Sequence, residues 1–298
     1  MRLRKPGKIG DHLWLLGTPE ACVYIVEGSK ASAVINAGMA YILPDLLRQI
    51  EQFGIIEEKI KHLVILHAHF DHVGIAPFLK RRHPEIALHA SAIAWDVLAN
   101  TKALAIIGQF TRKIADRVAK DKKTNWEALD WMWSGDISGV AAGEGDVIDL
   151  GDRHIQIIET PGHSACSISA YVPQLEALFP SDAAAIPYGE EYIIAAGSSM
   201  EKFYESLRKL APLSASLICA DHYGVVTGLE SGTYIQSSLA AAEDMQNRLM
   251  ETLETEGSVK RAARLLVDRH FALRPDYFVH PDILMITYSK MLNGLVRS

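Results

Sequence analysis

The sequence predicts a layered α/β (α+β) protein whose last quarter is helical. Two observations predict it. Up to about residue 230, short apolar runs bounded by Gly, Pro and Asp alternate with stretches of helical apolar spacing, the pattern of stacked strands and helices. Beyond that point only helical spacing continues. The size permits one large domain, or a domain with an appendage, around a substantial core: 298 residues, 49% hydrophobic and 22% charged.

In order, "HLWLLG", "ACVYIVEG" and "ASAVINAG" between 12 and 38 read as a meander of strands separated by turns. The segment 43–53 places Leu46, Leu47, Ile50 and Phe53 on one side of a helix. "KHLVILHAH" gives a buried-type strand, Leu63 to Leu66, ending in a histidine cluster. "GIAPFLKRRHPE" reads as a helix and "IALHAS" as a strand. Residues 91–130 form a helical insertion, with Leu104, Ile107, Phe110, Ile114 and Val118 as an apolar stripe. That stripe serves as core or as a lid over a cleft. Strands return in "DVIDLG", "HIQIIETPGHS", "SISAYV", "ALFPSD" and "SLICADHYG". "YIQSSLAAAEDMQNRLMETLETEG", "KRAARLLVDRH" and "PDILMITYSKMLNGLV" close the chain as helices apolar enough to pack on the core.

A net charge of −6 offers no general attraction to nucleic acid or anionic membranes. The basic runs at 80–85 and 113–123 read as solvated helix faces. No run approaches the length of a membrane helix, and Pro, Gly, Asp and His interrupt the N-terminus before a signal-peptide core forms. The three cysteines, Cys22, Cys166 and Cys219, have no short spacing, which argues against a disulfide framework or thiolate zinc site. A cytoplasmic protein is expected.

The chemistry concentrates at strand ends. His67, His69, Asp71 and His72 follow one strand; His163, Asp182 and His222 each follow another, at turns rich in Gly, Pro or Asp. In extended chain, residues i and i+2 point the same way, so His67 and His69 can grip one cation. A tight turn then offers Asp71 and His72 to a second. Imidazole and carboxylate suit zinc or iron, and Asp182 is the candidate bridging carboxylate. The other histidines, His12, His62, His83, His89, His154, His270 and His280, read as structural.

"HAHFDH", "TPGHS", "FPSDA" and "ADHYG", in this order, resemble the metallo-β-lactamase superfamily. The resemblance implies an αββα sandwich over roughly residues 1–230, with the insertion at about 91–130, and a helical cap at 231–298. It further implies two divalent cations (zinc or iron, with manganese also accommodated). The first would be held by His67, His69 and His163, the second by Asp71, His72 and His222, with Asp182 bridging. The implied reaction is attack of a metal-activated hydroxide on a carbonyl, Asp71 acting as ligand and acid–base relay.

Among branches, acyl-homoserine lactonases place a tyrosine where this chain has Ala185; Tyr188 and Tyr223 are nearby substitutes. The whole chain is most similar to the quinolone-signal response thioesterases acting on aminobenzoylacetyl-CoA, although Ile186 replaces their glutamate. The expectation is a thioester or ester hydrolase (acyl-CoA-like or lactone) with an apolar tunnel under the stripe and final helices. A regulatory protein with secondary hydrolase activity is the rival. The expected partner is a small acyl substrate, with neither nucleic acid nor membrane, and the apolar tail helices leave room for a homodimer.

Overall fold

The computed structural model describes residues 1–118 and 125–297. In chain order its strands are β1 (Arg2–Leu3), β2 (Gly7–Gly10), β3 (Leu13–Thr18), β4 (Ala21–Glu27), β5 (Ser32–Ile35), β6 (Ile60–Val64), β7 (Ala87–Ala90), β8 (Val140–Ala141), β9 (Val147–Asp149), β10 (His154–Glu159), β11 (Ile168–Val172), β12 (Ala177–Phe179), β13 (Ile186–Tyr188), β14 (Glu191–Ile193), β15 (Leu217–Cys219) and β16 (Val225–Thr227). Its helices are α1 (Leu43–Phe53), α2 (Ala76–Arg82), α3 (Ala92–Ala99), α4 (Thr101–Val118), α5 (Met200–Leu210), α6 (Leu229–Glu256), α7 (Val259–Leu273) and α8 (Pro281–Arg297).

Two seven-stranded sheets face each other, with orders β2-β3-β4-β5-β6-β7-β8 and β1-β16-β15-β12-β11-β10-β9. Pairing in the first is antiparallel through β5 and parallel beyond it. In the second only β12 and β15 run parallel. Strand alternation explains the layering. Leu13, Leu15, Tyr24, Val26 and Ile35 join Ile155, Ile157 and Phe179 in a core between the sheets. The alternate residues Leu16, Val23, Ile25 and Val34 face outward, into a second core with Leu46 and Ile50 of α1. On the other side, α6 packs against β15 and β16. The result is helix, sheet, sheet, helix.

Several boundaries depart from the sequence reading. The strand expected at Leu63–Leu66 is Ile60–Val64. Ile65 and Leu66 remain buried beyond the strand end; Ile65 N–H still donates to the His89 carbonyl of β7, and the Leu66 carbonyl accepts from Ile168 of the other sheet as the chain enters the histidine turn. The insertion is two helices, α3 and α4; the rest of it and of the basic run at 113–123 includes residues 119–124, outside those described. Stripe residues Ile107 and Ile114 are both buried. Helix α5 and the β13–β14 hairpin had no counterpart in the sequence reading. No helix among the described residues is long and apolar enough to cross a membrane.

Candidate metal centre

The turn after β6 is held from below. Ala37 N–H donates to the His72 carbonyl, Gly74 N–H to Gly38 and Ile75 N–H to Ala37. A side chain at Gly74 would lie 2.2 Å from the Ala40 backbone nitrogen, so only glycine allows this approach. Asn36, Ser181 and Tyr223, all flanking the site, adopt positive φ of 65°, 51° and 65°, conformations that non-glycine residues hold only under surrounding constraint.

The structure brings all seven sequence-selected side chains together. His67, His69 and His163 converge, with His163 Nε2 2.8 Å from His69 Nδ1. Asp71, His72 and His222 form the adjoining group: Asp71 Oδ2 lies 3.6 Å from His72 Nε2 and 3.7 Å from His222 Nε2. Asp182 faces both groups. Its Oδ2 is 3.4 Å from His72 Nε2, 3.4 Å from His163 Nε2 and 3.9 Å from His67 Nε2; its Oδ1 is 3.6 Å from His222 Nε2.

Four of the imidazoles turn their other nitrogen to a fixed acceptor, which sets the tautomer and aims a lone pair inward. His163 Nδ1–H donates to the Ala195 carbonyl at 2.5 Å and His222 Nδ1–H to that of Glu20 at 2.7 Å. His72 Nδ1–H donates to Asp221 Oδ2 at 3.0 Å. His67 Nδ1 lies 3.2 Å from Ser181 Oγ, whose hydroxyl donates to the same Asp221 oxygen at 2.5 Å.

Burial, reinforced by neighbouring imidazoles, holds His67 and His69 well below the ordinary histidine pKa. Burial also lowers His163. At His72 and His222 burial pulls the same way, but Asp71 and Asp182 outweigh it and raise both. Burial works against the charged form of Asp182, and His163, His222 and His72 override it, leaving its pKa well below normal. The Nε2 atoms of His67 and His72 are buried with no hydrogen-bond partner. Such orphaned nitrogens are costly unless something is bound there. Five imidazoles and two carboxylates around them fit a divalent metal.

The profile described as the Metallo-beta-lactamase superfamily matches residues 20–222. The chain belongs to that superfamily. Individual similar proteins extend the comparison. An acyl-coenzyme A thioesterase, MBLAC2 of Gallus gallus, is 30% identical over 169 residues, 54% of this chain and 57% of its own. A hydroxyacylglutathione hydrolase of Mesorhizobium japonicum is 35% identical over 86 residues, covering 27% of this chain and 31% of its own. The chain thus spans little over half of the first relative and a third of the second. A solved metallo-beta-lactamase family protein of Thermus thermophilus shares the fold at TM-score 0.70 and 16% identity, covering 97% of this chain and 94% of that one.

Above the ligands lies a cavity of about 490 Å³. Phe70, Ile107 and Phe110 wall one side; Phe278, Ile283 and Leu284, from the tail, wall the other. Ile186 also lines it. Tyr188 and Tyr223, the tyrosines picked out in the sequence, are absent from its lining, whereas Tyr277 is present. Sequence reasoning also passed over Asp221, Ser181 and Asn36. The signal for Asp221 was its place beside His222 in "ADHYG".

Proposed function

We propose that this protein is a dinuclear metal-dependent hydrolase that cleaves a thioester or ester of an apolar acyl group. The observation that carries the reading is the convergence of seven ligand-type side chains beneath a largely apolar cavity of a size typical of small-molecule sites. When bound, a pair of divalent cations makes water nucleophilic near neutral pH and polarises a carbonyl. His67, His69 and His163 would hold one cation, and Asp71, His72 and His222 the other, with Asp182 between them. Zinc and iron suit these donors best, and manganese is accommodated.

Asp71 lines the cavity as well as facing the second group, so it is placed to take a proton from the attacking water at a carboxylate oxygen. The apolar walls would exclude bulk water and bind the acyl group. Ile186 faces this space, which favours an acyl group without an amine over the aminobenzoylacetyl group of the quinolone-signal branch. The thioesterase relatives favour an acyl-CoA-like thioester; a lactone, as a cyclic ester, offers the same reacting carbonyl.

The test is metal analysis joined to a panel of acyl-CoA, acyl-glutathione and lactone substrates. About two equivalents of metal and turnover of a thioester are expected. Asp71→Ala should keep the fold and lose turnover; full activity in that variant would overturn the mechanism.

A further inference from the structure

Among the described residues, four hydroxyl side chains line the cavity. Ser164 Oγ bonds Ser167 and Cys166, and Thr287 donates to the Ile283 carbonyl. Ser198 is exposed at the surface, whereas Tyr277 is buried. It lies between α7 and α8, is only 2% exposed and lines the cavity, yet its hydroxyl has no hydrogen-bond partner among the described residues. That oxygen is not among the sealed polar atoms left without a partner, and its residue forms part of the cavity wall.

The ring is firmly placed. The Tyr277 carbonyl accepts from Arg117 of α4 at 3.2 and 3.3 Å, and its N–H donates to Arg274 at 3.1 Å. Aromatic neighbours hold it edge-on: His270 at 4.6 Å and Tyr188 at 5.5 Å between ring centroids. Next to it in sequence, Phe278 packs over the His222 ring at 4.9 Å, which ties this segment to the ligand cluster. Burial, then Tyr223 and Asp182 among its neighbours, raises the phenol well above its ordinary pKa, so it remains a donor at neutral pH.

We propose that Tyr277 is a catalytic residue, its hydroxyl donating a hydrogen bond to the substrate carbonyl oxygen as that oxygen gains negative charge. This rests on the hydrolase reading. The phenol keeps its proton throughout: water adds to the carbonyl carbon, the carbon–sulfur or carbon–oxygen ester bond breaks, and the leaving group departs as thiol or alcohol. A donor preset at the developing charge acts mainly on the transition state.

The experiment compares the zinc-loaded full chain with Tyr277→Phe and Tyr188→Phe on a thioester that the wild type hydrolyses. Tyr277→Phe keeps the ring and removes only the hydroxyl. Its kcat should fall on the order of 10- to 100-fold, the lower end of such losses because the cations share the charge. KM should stay within about threefold, with metal content and melting temperature unchanged. Tyr188→Phe removes a hydroxyl from the same aromatic cluster but not from the cavity wall, and should match wild type. A wild-type kcat in Tyr277→Phe, or an equal loss in Tyr188→Phe, overturns the proposal and leaves the hydrolase reading standing. A wild type inert across the whole panel defeats both.

Discussion

Replacing Asp221 with alanine tests whether the supporting hydrogen bonds, and not the ligand identities alone, make the centre. Asp221 is 1% exposed, and its Oδ2 accepts from His72 Nδ1 at 3.0 Å and Ser181 Oγ at 2.5 Å. Through Ser181 it also steadies His67, so one carboxylate orients an imidazole in each half of the site. Losing such a partner typically costs about 10- to 100-fold in metal affinity, equivalent to roughly 1.4–2.7 kcal/mol. The variant also strands the Ser181 hydroxyl in a buried place and leaves the His72 ring N–H only the longer contact to Asn36 Oδ1 at 3.3 Å, at about 1–3 kcal/mol each, partly offset by removing a buried charge. A net loss of about 3 kcal/mol, over an unfolding entropy of roughly 0.6 kcal/mol/K for a chain of this length, lowers the melting temperature by about 5 °C. Metal retention against graded chelator and melting of the metal-free protein measure the two effects separately. Metal affinity within about twofold of wild type would refute the orienting role.

Three further outcomes are expected. Asp182→Asn removes the charge that faces both halves of the cluster, so bound metal should fall from about two equivalents towards one, read by elemental analysis. Ile107→Trp should shorten the cavity: kcat/KM for long-chain thioesters drops about tenfold, and that for an acetyl thioester stays near wild type. Burial lowers His270 from the usual 6.5 to about 4, and its Nδ1 meets the Tyr288 hydroxyl at 3.1 Å. The folded state therefore favours the neutral ring. That contribution is complete above the unfolded value and fades as pH falls from about 6.5 to 4, by up to about 3 kcal/mol. Urea unfolding at pH 7, 5.5 and 4.5 should show a steeper loss in wild type than in His270→Phe; parallel curves would contradict it.

The readable parts of this fold are those that bury a repeating face. Helix α1 showed its stripe because Leu46 and Ile50 pack into one core, and β3 and β4 announced themselves because both of their faces are covered. Short edge pieces gave no such signal. Strand β1 has two residues and pairs with β16, Arg2 opposite Val226, a long-range contact with no local trace. The β13–β14 hairpin is three residues a side. The ligand cluster was legible for a different reason: buried imidazoles and carboxylates are costly, so several at strand ends demand a shared partner.

What surrounds the ligands was much less legible, and the tail shows why. Tyr277 and Phe278 sit in an irregular stretch between α7 and α8, where no periodicity marks a face. Their position is set by contacts distant in sequence: Arg117 to the Tyr277 carbonyl, the Arg274–Glu191 ion pair, and Lys113 to Asp282. An aromatic residue in such a stretch looks like ordinary packing until the fold places it over a reactive centre. Tyr188 and Tyr223 illustrate the converse. Nearness in sequence to Asp182 and His222 suggested them, yet both pack against Tyr277, at 5.5 and 6.3 Å between ring centroids, and the cavity wall passes to the tail. Ligands at strand ends are fixed by the sheets, so spacing reveals them. Much of the cavity wall comes from α4 and the tail, so only their three-dimensional meeting reveals it.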